Sequence, residues 1–217
     1  MKSIVLGTML VLIGFNLFGQ GTIVFTSHTT DRDSHIWGLS STDPYLSLVG
    51  PGTNDRPSGS TPYQADGMSL IGASGANGPF GYSTTFAQLL VAAGASQPES
   101  SLMPMSPTTT FHSGAGAGQI VAVTIPLTGV PSGITVLTVE GVAWDNSSGL
   151  YPNWTQASQA WTLGLIAAGT SALANFDLTL GNTYVHDSFN LHLIPEPTAF
   201  ALAGLGAVAL MICRRRK

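Results

Sequence analysis

The chain has 217 residues with 7 Lys+Arg, 11 Asp+Glu, 26 Gly, 13 Pro and one Cys, a length that suits one domain or two small ones. Charged residues make up 8% and hydrophobic residues 44%, against about a quarter charged in an average domain, which excludes a charge-rich disordered chain and a long coiled coil. Lys2 opens the chain and Arg214, Arg215, Arg216 and Lys217 close it, so the stretch between keeps only Arg32 and Arg56 against all the acids except Glu196. That middle is an acidic body, and an acidic surface repels phosphate backbones, so nucleic acid is not an expected partner.

Residues 1–19 read as a secretory signal. Lys2 supplies a minimal positive start, Ile4 to Phe18 is an uncharged apolar run broken only by Ser, Thr, Gly and Asn, and Gly19 is a small residue where a peptidase can cut. The mature chain is expected to begin at or near Gln20, although Leu17 at the minus-three position is bulkier than usual. No Cys stands nearby for lipoprotein processing. A buried N-terminal helix of a cytosolic protein is the competing reading, and the short, all-round apolar run followed at once by a strand-like segment speaks against it.

The body, residues 20–194, is expected to be an extracytoplasmic, mainly β domain. Gln119 to Ile125 and Ile134 to Trp144 are rich in Val, Ile and Thr and mix their faces, as strands covered on both sides do. Phe176 to Leu180 alternates apolar and polar, and Ser188 to Leu193 sets Phe189, Leu191 and Leu193 on one face and Ser188, Asn190 and His192 on the other. Period 2 with one wet face predicts antiparallel, half-buried strands. Gly/Pro/Ser/Asn clusters at 50–62, 72–81 and 97–107 supply turns and longer loops. Short strands with frequent turn signals predict an antiparallel β-sandwich with jelly-roll or Greek-key connections. One short helix is predicted over Trp154 to Ala160, with Asn153 as its cap and Gln156 three residues on.

Residues with chemistry are sparse. No G-x-S-x-G elbow, H-E-x-x-H, Walker loop, G-x-G-x-x-G or Cys pair occurs, and Cys213 is the single thiol. No catalytic residue, metal ligand or cofactor is assigned. The absence of a Cys pair also removes disulfides, so stability has to come from the core and the sheet. His28, Asp31, Asp33 and His35 fall within eight residues, but their spacing fits no metal motif of known geometry and a solvated loop is the better reading. His186-Asp187 with a distant Ser has the composition of a hydrolase triad, which only geometry can identify. Asn146-Ser147-Ser148 and Asn153-Trp154-Thr155 fit the glycosylation sequon and are read as turn and helix-cap residues. Trp144, Trp154 and Trp161 lie within 18 residues. They are the candidate ligand contacts, as a sugar-stacking platform, with joint core packing as the preferred reading.

Residues 195–217 form a second export signal. Thr198 to Cys213 is a 16-residue uncharged run, about 24 Å as a helix and so a marginal span of a hydrocarbon core of about 30 Å. Pro195-Glu196-Pro197 precedes it and Arg214-Arg215-Arg216-Lys217 follows it. Basic residues stay cytoplasmic, so these four are expected to set the topology, with the acidic body outside. No polar face interrupts the run, which excludes an amphipathic core helix.

Taken together, Ile194-Pro195-Glu196-Pro197-Thr198, the Ala/Leu/Gly-rich stretch and Arg214 to Arg216 resemble the PEP-CTERM sorting signal of Gram-negative bacteria. The resemblance implies an exosortase substrate, cut near Pro195, Glu196 and Pro197 by a membrane-embedded cysteine transpeptidase-like enzyme. More loosely, Gly21 to Phe25, Phe86 to Leu89, Thr109 to Phe111 and Val142 to Asp145 are similar to the β-rich ectodomains that accompany this signal in Verrucomicrobia-like bacteria, for which no activity is implied. The expected partners are therefore the secretion translocon, signal peptidase, the membrane and an exosortase-type enzyme, with extracellular polysaccharide as a further candidate. The expected course is an inner-membrane, single-pass precursor that is processed to a cell-surface or extracellular-matrix protein without catalysis. A carbohydrate-binding module is the alternative, and a secreted hydrolase follows it.

Overall fold

The computed structural model describes residues 21–195. The expected signal segment 1–19, Glu196, Pro197, the apolar run 198–213 and the basic tail 214–217 lie outside the described residues. In chain order the elements are β1 (Thr22–Thr26), β2 (Ile36–Trp37), β3 (Thr85–Ala93), β4 (Met103–Pro104), β5 (Val123–Pro126), β6 (Val136–Asp145), α1 (Trp154–Thr162), β7 (Ala168–Thr170), β8 (Ala174–Asp177), β9 (Thr183–Val185) and β10 (Phe189–Asn190). The body is thus mainly β with one α-helix among the described residues.

β3 and β6 are the longest strands, and they form the spine. They pair antiparallel from Thr85↔Asp145 to Ala93↔Leu137, β4 adds to β3, and β7 and β8 add in succession to the far edge of β6. A second sheet runs β5-β1-β9 and a third pairs β10 with β2. Period 2 divides β6 between two environments. Leu137, Val139 and Ala143 enter one core together with Ile23, Phe25, Leu89, Ile125, Tyr184 and Phe189, so all three sheets enclose the same apolar interior. Val142 and Trp144 face the other way, against Leu90, Ala157 and Ala168, beneath α1. The expectation that Ile134 to Trp144 is covered on both sides holds from Leu137 to Trp144, whereas Thr135, ahead of the strand, is exposed.

The helix also forms where the sequence places it. Asn153 Oδ1 accepts the Gln156 backbone N–H at 3.1 Å, a cap of about 1 kcal/mol, and Ala157 and Ala160 turn inward. It ends in a Schellman turn: Leu165 N–H donates to Ala160 and Gly164 N–H to Trp161, with Gly164 at φ +71° in the left-handed region that favours glycine. Gly169 serves packing instead, since a Cβ there would collide with the Asn190 carbonyl where β7 passes β10.

Several strand expectations are corrected. β1–β9 and β10–β2 pair in parallel, so the sheets are mixed rather than antiparallel throughout. Of the segment 119–125 only 123–125 is strand, in β5, where Thr124 and the following Pro126 are exposed, so it is one-sided. The strand at 176–180 stops at Asp177, whose Oδ1 accepts the Thr179 N–H and hydroxyl in a tight turn that leaves Leu180 exposed. Ser188 and Asn190, read as the wet face of the last strand, are buried. The end of the β1–β2 connection and the long connection 39–70 close over that face and saturate it: Ser188 Oγ accepts the His35 N–H at 2.7 Å, while the Asn190 amide accepts from Leu48 N–H and donates to the Leu46 and Leu191 carbonyls.

Candidate functional site

The chemistry-bearing side chains of the body gather in one corner. The β1–β2 connection, the turn at 52–56 and the β9–β10 connection meet there, bringing Ser27 and His186 together across 159 positions. His186 is fully buried between Phe25 and Phe189, at ring-centre distances of 5.8 and 5.6 Å. Its Nε2 lies 2.9 Å from Ser27 Oγ and its Nδ1 2.8 Å from the Asp187 carbonyl oxygen. The carbonyl accepts only from an N–H, so Nδ1 carries the proton, and Ser27 donates its hydroxyl to Nε2. Ser27 Oγ in turn accepts the Ile120 N–H at 3.0 Å. Burial holds the imidazole pKa down at about 4 despite Asp187, so the ring is neutral at pH 7.

A second histidine belongs to the same corner. His35 Nδ1 meets Asp55 Oδ1 at 2.7 Å with both side chains nearly buried, and Asp55 Oδ2 accepts the Gly52 N–H. Towards solvent, Arg32 pairs with Asp187 at 3.2 Å and the Arg56 guanidinium donates to the Thr30 carbonyl. The two arginines of the body thus flank one small cavity of about 70 Å³, with Asp55, His186, Asp187 and Ser188 in its walls.

Serine and histidine are at hydrogen-bond distance here, yet the arrangement differs from a hydrolase triad in three respects. Ser27 and His186 have no exposed surface. The group orienting the imidazole is a backbone carbonyl rather than the Asp187 carboxylate, which turns to Arg32. The hydroxyl oxygen is already occupied by a backbone N–H. The geometry suits a structural clasp joining β1, the 119–121 segment and β9, each of whose polar groups is satisfied. The histidine–aspartate run at 28–35 does not converge either. His28 approaches Asp33 at 3.5 Å, Gln119 donates to the same carboxylate at 2.6 Å, and His35 turns inward to Asp55.

The tryptophans form a chain rather than a platform. Trp144 is fully buried, donates Nε1 to the Tyr151 carbonyl at 2.7 Å and meets Phe86 edge-on. Trp154 and Trp161 are half-buried and continue the row, each plane inclined by 50° to the preceding ring. Rings inclined in this way offer no coplanar surface to a pyranose.

Of the sorting residues, Pro195 is described, and it is exposed. The segment before it is firmly tied. Leu191 N–H donates to Trp37, His192 exchanges backbone bonds with Ala168, Leu193 N–H donates to the Pro44 carbonyl, and Trp161 Nε1 donates to the His192 carbonyl at 2.9 Å. Sequence reasoning overlooked one buried group altogether. Glu140 sits in the middle of β6, 3% exposed, with Oε2 unpartnered. Burial raises its pKa to about 7, opposed by a Thr170 hydrogen bond and assisted by Glu99. The signal was present, since Glu140 is the one acid in the apolar run from Ile134 to Trp144.

Comparison with known proteins identifies a PEP-CTERM protein-sorting motif at residues 193–217. No curated protein and no solved structure matches the chain. The motif begins at Leu193, where the backbone hydrogen bonds of the body end among the described residues. It implies sorting by an exosortase and a membrane or secretion context.

Proposed function

We propose, with the sorting motif as premise, that the chain is an exported, transiently anchored surface or extracellular-matrix protein whose body acts without catalysis. Residues 1–19 lead translocation, 198–213 arrest it in the inner membrane, and Arg214 to Lys217 hold the C-terminus in the cytoplasm. An exosortase then cuts near Pro195, Glu196 and Pro197 and frees the body, read as a sandwich-like ectodomain in which the two larger sheets share one core.

The observation that carries this reading is the junction between body and motif. Tertiary hydrogen bonds run up to Leu193, and Pro195 is exposed two residues later. Prolines at 195 and 197 lack N–H groups and bias their predecessors to extended backbone, so neither the last strand nor a following helix extends readily across them. A protease accepts an extended chain, and Glu196 gives it a charged handle. In cells containing an exosortase, Glu196→Ala and Pro195→Ala are expected to leave an uncut, membrane-bound form, read by membrane fractionation and immunoblot. Normal release of both variants would remove the assigned recognition role of the Pro-Glu-Pro residues.

A further inference from the structure

We propose that the end of the body from which the chain leaves for its anchor is a lipid-facing foot, built from Tyr45, Leu163 and Leu165, that rests on the neutral headgroup layer of the same membrane. The proposal rests on the anchored reading above and adds the surface that faces the bilayer.

The exit point is fixed by the bonds of His192 to Ala168 and Trp161 and of Leu193 to Pro44. From there the four residues from Ile194 to Pro197 lead to the apolar run, and the five steps from Leu193 to Thr198 reach at most about 17 Å even when fully extended. The headgroup layer on each side of a bilayer is itself about 5–8 Å deep. A precursor anchored through 198–213 therefore cannot hold this end of the body far from lipid.

That end exposes apolar side chains. Tyr45 is 50% exposed, Leu163 61% and Leu165 65%. Tyr45 follows Pro44, which holds Leu193; Leu163 is two residues past Trp161, which holds His192; Leu165 is three residues before Ala168, which pairs with His192. With consecutive Cα atoms 3.8 Å apart, each lies within about 12 Å of a residue bonded to the exit segment.

The local backbone holds all three in place. Asp43 Oδ1 accepts the Tyr45 N–H at 2.9 Å, and the Schellman turn carries both leucines. The residue in the position of Leu165 ordinarily packs back on the last helical turn; here it is turned to the surface. An aromatic with a polar tip and exposed leucines at one end of the body are residue types favoured at a membrane interface. Charge selects the lipid. Arg32 and Arg56 lie in the polar corner, whereas Asp43 borders the foot and Glu196 lies in the leash, so zwitterionic headgroups suit the surface and anionic ones do not.

The test uses the full chain with Cys213→Ser, reconstituted in phosphatidylcholine vesicles and spin-labelled at Leu165→Cys or at Leu180→Cys. Leu180 is 87% exposed on the β8–β9 turn and has no bond to the exit segment. Flotation on a density gradient reports anchoring, and the ratio of collision with oxygen to collision with a water-soluble nickel complex reports lipid contact. The expected result is a floating chain whose ratio at 165 is several-fold above that at 180. Equal, water-like ratios on a floating chain would overturn the foot and leave the anchor standing. A chain that stays at the bottom of the gradient would overturn both.

Discussion

Two neighbouring positions on β6 bury titratable chemistry in opposite ways. At Gly141 the missing side chain makes room for His186, since a Cβ there would lie 3.1 Å from the His186 Cβ. The imidazole occupies a pocket in which both ring nitrogens are bonded. One residue earlier, Glu140 points to the other face of the sheet and keeps one carboxylate oxygen without a partner. Burial disfavours the charged form in both places, so it lowers the histidine to about 4 and raises the glutamate to about 7. The first site is a completed clasp, and the second carries a cost whenever the carboxyl ionises that the Thr170 hydrogen bond offsets only in part.

The linkage signs follow from proton counts. Between pH 4 and 6.5 the unfolded chain binds a proton at position 186 that the folded chain refuses, so this site makes stability rise with pH. Between the ordinary carboxyl value of 4.5 and about 7 the folded chain keeps a proton on Glu140 that the unfolded chain releases, so that site makes stability fall. The two slopes oppose each other across most of this window, and the wild-type contribution from the pair is nearly flat there.

The largest effect is expected at the covering of the Glu140 side. Trp144→Ala removes a fully buried indole between the sheet and α1, and denaturant titration should show a loss of about 3–5 kcal/mol. Next in size, Glu140→Gln should stabilise the fold at pH 8 relative to pH 4.5 by on the order of 2–3 kcal/mol, at about 1.4 kcal/mol per unit of pKa. It should also unmask the histidine as a rise in stability from pH 4 to 6.5. An unchanged pH profile would remove Glu140 from the comparison. His186→Gln should cost about 1–3 kcal/mol by disturbing the partners of Ser27 and Asp187, and melts across pH should then fall from 4.5 to 7, the mirror image of the glutamate variant. The smallest effect belongs to the helix over the glutamate side, where Asn153→Ala should cost about 1 kcal/mol through loss of the cap to Gln156.

How much of this was legible in the sequence depended on the range of the interaction that decides each feature. The α1 cap was readable because Asn153 and Gln156 are three residues apart and settle the matter locally. The double coverage of β6 from Leu137 to Trp144 was readable from a Val-, Ile- and Thr-rich segment that mixes its faces. The polar corner was not, because Ser27 and His186 meet across 159 positions and no periodicity encodes which serine a histidine will find. Parallel pairing of β10 with β2 escaped for the same reason. Alternation at Ser188 to Leu193 was real, but it gave the wrong environment: buried Ser188 and Asn190 carry the same pattern as exposed ones once loops return to bond them. The sorting segment is the opposite case, a linear signal whose order of motif, apolar run and basic cluster is complete in the last 25 residues.

Intact-mass measurement of the mature protein's C-terminus, taken from cells that contain an exosortase, separates release at the sorting motif from permanent anchoring. Release leaves an end within a few residues of Glu196, just beyond the tied segment at Leu193, and this is the expected result. Finding Arg214 to Lys217 still attached to the bulk of the mature protein would contradict it and leave a permanently anchored single-pass protein.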